Sequence, residues 1–153
     1  MTNSHYQPPQ AHVETAVQGS SVKAVLLGLA VDLGGSLFFG IVYSIAYGFY
    51  LASRGMQMED IEQEISNAGF FSLFNLIGSA VGMVFSFLGG YVCAKKSVQH
   101  VNRDVGVLCG IVVAFGFLIS SDLEWWQHLV YAVAAVVVTY LGAFTAARRH
   151  PSI

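Results

Sequence analysis

Four long apolar stretches separated by short polar ones make up most of the chain beyond residue 21: residues 22–52, 70–94, 105–121 and 125–147. Hydrocarbon about 30 Å thick is crossed by roughly 20 helical residues, so each stretch predicts one transmembrane helix. The expected fold is an all-α, four-helix polytopic membrane protein. The first stretch, at about thirty residues, is longer than the membrane requires and must tilt, kink or project; the pair Gly34 and Gly35 offers a place to bend. The third is short, and Asp122 and Glu124 mark where it leaves the membrane. Between the first two, residues 53–69 carry Met58, Ile61 and Ile65 at helical spacing among Glu59, Asp60, Glu62 and Glu64, which predicts a short amphipathic helix on the outer surface. Residues 1–21 are polar and aperiodic, a disordered cytoplasmic tail without the basic and short apolar regions of a cleavable signal, so the first span itself is expected to target the chain.

The basic residues orient this array. Lys23 precedes the first stretch, Lys95, Lys96 and Arg103 lie between the second and third, and Arg148 and Arg149 follow the fourth; only Arg54 belongs to the alternate set. Lys and Arg near span ends are retained on the cytoplasmic side, so this split of the seven predicts both termini inside. Tyr43, Tyr47 and Tyr50 toward the far end of the first span, and Trp125 and Trp126 at the start of the fourth, suit the opposite headgroup layer. With 55% hydrophobic and 10% charged residues, and no dense basic patch, nucleic acid is excluded as an expected partner and the lipid bilayer is the expected one. Cys93 and Cys109 fall near predicted cytoplasmic ends, where thiols stay reduced, and read as small packing residues.

Helices in lipid gain little by hiding apolar surface from one another, so close backbone approach at small residues must hold them together. The first span carries Gly28, Asp32, Ser36, Gly40, Ser44, Gly48 and Ala52 at four-residue intervals, the second Gly78, Gly82, Ser86, Gly90 and Ala94, and the third Gly106, Gly110 and Ala114. These ridges predict tight packing of the first span on the second, through Gly28, Gly40, Ser44, Gly78, Gly82, Ser86 and Gly90, with Ile at Gly82 or Gly40 more damaging than Ile at Val84 or Val42. Residues 88–96 also match 141–149 in type, and 25–34 parallel 107–116, as two parallel hairpin repeats would.

One residue has chemistry to explain. Asp32 stands about nine positions into the first span, roughly 13 Å along the helix, with no charge within a turn of it. An ionised Asp at a helix centre costs about 2.5–3.5 kcal/mol, so the side chain should face protein or water, or carry a proton. It reads either as a proton- or cation-linked carboxylate on a polar path with Ser36, Ser86 or Thr139, or as a structural acid bonded to a neighbouring helix or hydrated near the interface. Its counterpart in the proposed repeat is Ala114, so the acid breaks the internal symmetry. His128 with Asp122 and Glu124 is a weaker candidate metal site, and reads first as a polar helix start. His100, Lys95, Lys96 and Arg103 form a basic connection suited to anionic headgroups. No nucleophile with its base, no cofactor motif and no metal-ligand spacing is present, so neither an enzyme nor a cofactor is expected.

The segment 86–94, with Gly89, Gly90, Tyr91 and Ala94, preceded by Gly78 and Gly82 and followed by basic residues, resembles small uncharacterised bacterial inner-membrane proteins of four helices. The segment 31–36 around Asp32 is similar too. The resemblance spans residues 22–149 and implies a bacterial inner membrane without implying an activity. Cys93 and the pair Lys95 and Lys96 depart from it, where Ala and an Arg-containing run would be expected. The first expectation for function is therefore a non-enzymatic protein acting by helix association, with itself as a homo-oligomer or with a larger membrane complex. The second is a small transport or channel unit in which Asp32 binds a proton or cation.

Overall fold

The computed structural model describes residues 20–97, 100–119 and 124–149, and these are helical throughout apart from short connections, with no strand among the described residues. The helices are α1 (Ser21–Ser53), α2 (Met58–Ser66), α3 (Leu73–Lys96), α4 (Val101–Ile119) and α5 (Trp125–Arg149). All but α2 are long and apolar enough to cross a membrane. Residues 1–19 of the expected tail and Asp122 lie outside the described residues, whereas Ser21, placed in that tail, opens α1.

Two helix starts differ from the hydropathy pattern, for physical reasons. Helix α3 begins at Leu73 and not at Phe70, because the Ser72 hydroxyl accepts the Asn75 backbone N–H at 3.2 Å and caps the first turn. Helix α4 begins at Val101, four residues before the expected Val105, and so takes Arg103 and Asp104 into its first turn. Asp104 is only 2% exposed there; the Ser97 hydroxyl donates to its Oδ2 at 2.6 Å, and Arg103 Nε lies 3.6 Å from its Oδ1. A carboxylate near a helix N-terminus is also favoured by the exposed backbone N–H groups.

Helices α3 and α5 run parallel and share the most extensive contact, while α1 and α4 run the other way and pack beside them. The basic residues meet at one end: Lys23 opens α1, Lys95 and Lys96 close α3, Arg103 opens α4, and Arg103 Nη2 donates to the Ser21 hydroxyl at 3.3 Å. The buried core gathers in this half, from Ala24 and Val25 on α1 through Cys93 and Ala94, Val105 and Leu108, to Ala143 and Ala146. The two cysteines are free and buried within it, as packing residues would be.

Backbone contact closes this end. A Cβ on Gly28 would stand 2.9 Å from the Gly89 carbonyl oxygen, and one on Gly89 would stand 2.8 Å from the Gly28 carbonyl oxygen, so α1 and α3 touch main chain to main chain. Gly90 packs in the same way on the Thr139 backbone, and Gly142 on the backbone of Phe87.

The other end is aromatic and looser. Phe39, Tyr43, Tyr47 and Tyr50 stack in succession along α1, and the Phe74 ring sits 5.0 Å from Tyr43 and 4.9 Å from Tyr47. Arg54, the basic residue outside the cluster, donates to the Tyr50 hydroxyl at 3.2 Å. Helix α2 folds back on α1 at this end: Ile61 is buried against Gly48, whereas Met58 is 82% exposed and contributes nothing to the seam.

Candidate functional site: an intramembrane carboxylate under a cavity

Helix α1 is not uniform. Residues Ala30–Gly34 form a π-helical turn, with Asp32 at its centre. A π turn inserts one extra residue into the helical ladder, and such turns occur often at functional sites. Gly34 and Gly35 follow directly, and the Phe85 ring occupies the space that a side chain on Gly35 would need. The bend expected from the glycine pair thus takes the form of a widened turn, pinned by an aromatic ring from α3.

The turn places Asp32 between helices, 2% exposed. The Ser86 hydroxyl donates to its Oδ1 at 3.0 Å, and the Asp32 Cβ rests against the position a Gly89 Cβ would take. Oδ2 is buried without a hydrogen-bond partner. A buried carboxylate oxygen left unpaired is costly, by about 1–3 kcal/mol for a neutral acceptor and more for a charged one. Among the described residues no donor completes the site.

Asp32 lies at the closed end of a cavity of about 560 Å³ that extends toward the aromatic end. Ser36, Ser79, Ser86 and Asn75 are its polar wall residues, and Phe70, Phe117, His128 and Tyr131 lie farther along. Ser79 and Tyr131 are joined hydroxyl to hydroxyl at 2.7 Å; since Ser79 also donates to the Asn75 carbonyl at 2.7 Å, the Tyr131 O–H is the donor of the pair. Asn75 is held by its own side chain, which donates to the carbonyls of Ala68 and Gly69 at 2.9 and 3.1 Å. His128 stacks on Phe117, ring centroids 4.8 Å apart.

The part of α1 beyond the π turn packs on α3 and α2, and makes no comparable contact with α4 or α5. The cavity is therefore lined by all four long helices and gapped between α1 and α4. Gly82 and Gly116 both line it, and neither would meet any atom within 4 Å if it carried a Cβ.

The small-residue pattern is thus redistributed. Gly28, Ser86 and Gly90 stand at helix contacts, but Gly40, Gly78 and Gly82 face open space and hold nothing together among the described residues. The expected damage from Ile at Gly82 or Gly40 is corrected accordingly: the first would fill cavity and the second would sit on the surface. Of the residues at the tightest contacts, Gly35 stood out in the sequence only as a place to bend and Gly89 only within segment 86–94, while Phe85 and Gly142 carried no signal as contact residues. Of the polar path, Ser36 and Ser86 do join Asp32 at the cavity; Thr139 is buried at 1% exposure and turns its hydroxyl to the Ala135 carbonyl of its own helix. The buried Asp104 and Ser97 pair was missed, since Asp104 precedes the expected start of the third span at Val105. No cluster of three metal-ligating side chains occurs among the described residues. Glu124 is engaged as an acceptor of the Trp126 indole N–H, and the ring Nδ1 of His128 lies 3.2 Å from the Glu124 carbonyl oxygen. Compared with known proteins, the chain matches no family profile, no curated protein and no solved structure.

Proposed function

We propose that this multi-pass membrane protein is a small, non-enzymatic transport unit in which Asp32 alternately holds a proton and a cation. The observation that carries the reading is a buried carboxylate with an unpartnered oxygen at the closed end of an intramembrane cavity. A bare negative charge at that depth is costly, so the site is neutralised either by a proton or by a cation, and one carboxylate cannot hold both. That exclusion is the physical basis of coupled exchange. The basic end is cytoplasmic on this reading, both termini lie inside, and the cavity opens toward the outer leaflet of a bacterial inner membrane; the Lys and Arg asymmetry and the resemblance of segment 86–94 support this placement. A transport cycle further needs a state in which the Gly28 and Gly89 seam parts.

The test is flux in proteoliposomes, with a trapped pH dye reporting proton movement driven by a cation gradient. Wild-type protein should give cation-dependent proton flux, and Asp32→Asn should abolish it while leaving helix content and detergent resistance unchanged. Equal flux from both proteins refutes the reading.

A second reading, association with another copy, is favoured by one separate feature. Ser36, Gly40 and Ser44, flanked by Leu37, Ile41 and Ile45, line a shallow groove on the surface of α1, and Gly40 has open space above it. A helix from a second chain would find there the close approach that small residues allow. Gly40→Leu should then abolish crosslinked dimer in native membranes, and unchanged crosslinking removes this reading.

A further inference from the structure

We infer that the cavity takes a protonated lipophilic amine, carrying one positive charge and an apolar body, which enters sideways from the bilayer through the gap between α1 and α4. The inference rests on the reading of Asp32 given above and names its ligand class. It begins with the floor, where Asp32 Oδ2 is an acceptor without a donor and Oδ1 is already served by Ser86. An ammonium N–H meets that need in both charge and hydrogen bonding. Asp32 is the one carboxylate among the described residues that line the cavity, and it matches a single positive charge.

The described walls are poor in ligands for a bare divalent metal ion. Hard cations such as calcium take about 6–8 oxygen ligands. Around Asp32 the cavity offers only the hydroxyls of Ser36 and Ser86, while Leu37, Met83, Val112 and Val113 supply apolar surface. A volume of about 560 Å³ lies within the usual range for a small organic ligand, roughly 300–1,000 Å³. Toward the aromatic end, Phe70, Phe117 and Tyr131 can cover an apolar body or the cation in transit.

The route follows from the packing. Leu37 on α1 and Gly116 on α4 both line the cavity and are both exposed, and the helices that bear them do not close on one another at this level. In a membrane that gap faces hydrocarbon. A ligand using it must partition into lipid, which an inorganic ion or a polyamine does not.

The experiment uses the full chain in lipid nanodiscs and three probes with one body: 4-phenylbutylamine, 4-phenylbutanol and 4-phenylbutyltrimethylammonium. The amine should bind saturably, at least tenfold more tightly than the alcohol. It should also bind several-fold more tightly than the quaternary ion, which has no N–H for Oδ2. Asp32→Asn should weaken amine binding at least tenfold. Gly116→Trp, at a position with open space around its Cβ, should lower amine binding at least tenfold without lowering resistance to unfolding. It keeps the test decisive if the Asp32 variant does not fold. Equal binding of amine and alcohol, or undiminished binding by Gly116→Trp, overturns the proposal. If the amine fails to bind while inorganic-cation-driven proton flux still depends on Asp32, the ligand class falls and the proposed function stands. If that flux is also independent of Asp32, both fall.

Discussion

Replacing Gly89 by Ala places a methyl group in the tightest contact of the bundle. Its carbon would stand 2.8 Å from the Gly28 carbonyl oxygen and 2.9 Å from the Asp32 Cβ, where comfortable contacts lie at about 3.5–4.0 Å. Both obstacles belong to main chain or its first side-chain atom, so neither can swing aside, and α1 and α3 must separate by several tenths of an ångström. Overpacking of this kind costs about 1–3 kcal/mol. Ala also gains up to about 1 kcal/mol over Gly in a helix, a term that complicates any single measurement. Gly82→Ala in the same helix removes that complication, because no atom lies within 4 Å of its Cβ and only the propensity gain applies. The difference between the two variants is therefore the contact itself, about 1–3 kcal/mol. Equilibrium unfolding in mixed dodecyl maltoside and SDS micelles, followed by fluorescence of Trp125 and Trp126, reads it. Gly89→Ala should unfold at a lower SDS fraction than wild type, and Gly82→Ala at the same fraction or a higher one. Equal midpoints, or the reverse order, would refute the account of how the basic end is closed.

Other outcomes follow from the same contacts. Asp32→Asn keeps an oxygen for the Ser86 hydroxyl and should change stability by less than about 1 kcal/mol, whereas Asp32→Ala strands that hydroxyl and should cost about 1–3 kcal/mol in the same SDS titration. Ser97→Ala removes a buried hydrogen bond to the Asp104 carboxylate and should cost about 1.5–3 kcal/mol, read as a lower midpoint. Ile61→Asp should release α2 from α1 and raise hydrogen exchange over Met58–Ser66 while leaving α3 to α5 protected; uniform loss of protection would contradict it. With Cys93 and Cys109 buried and so poorly reactive, Gln57→Cys should be labelled by an impermeant maleimide from outside intact cells, and Gln99→Cys only after lysis. Labelling in the opposite sense reverses the proposed orientation.

The residues alone were sufficient for everything that depends on solvent. Four apolar stretches, a surface helix between the first two, and basic residues at alternate ends are local properties, since hydrocarbon selects for apolar side chains and satisfied backbone wherever the chain crosses it. Asp32 stood out for the same reason, as a charge where charge is expensive. Tertiary structure decided which small residues touch. A ridge at four-residue spacing turns by about 40° each step on a helix of 3.6 residues per turn, so it cannot keep to one neighbour. The π turn at Ala30–Gly34 adds an extra residue, which sets the remainder of α1 back by roughly 100° relative to an unbroken α-helix. Gly28, before the turn, meets Gly89; Gly40, after it, meets no other helix among the described residues. Spacing along one helix carries no information about the rotation of its neighbour, and the cavity above Asp32 exists where α1, beyond the turn, makes no comparable contact with α4 or α5.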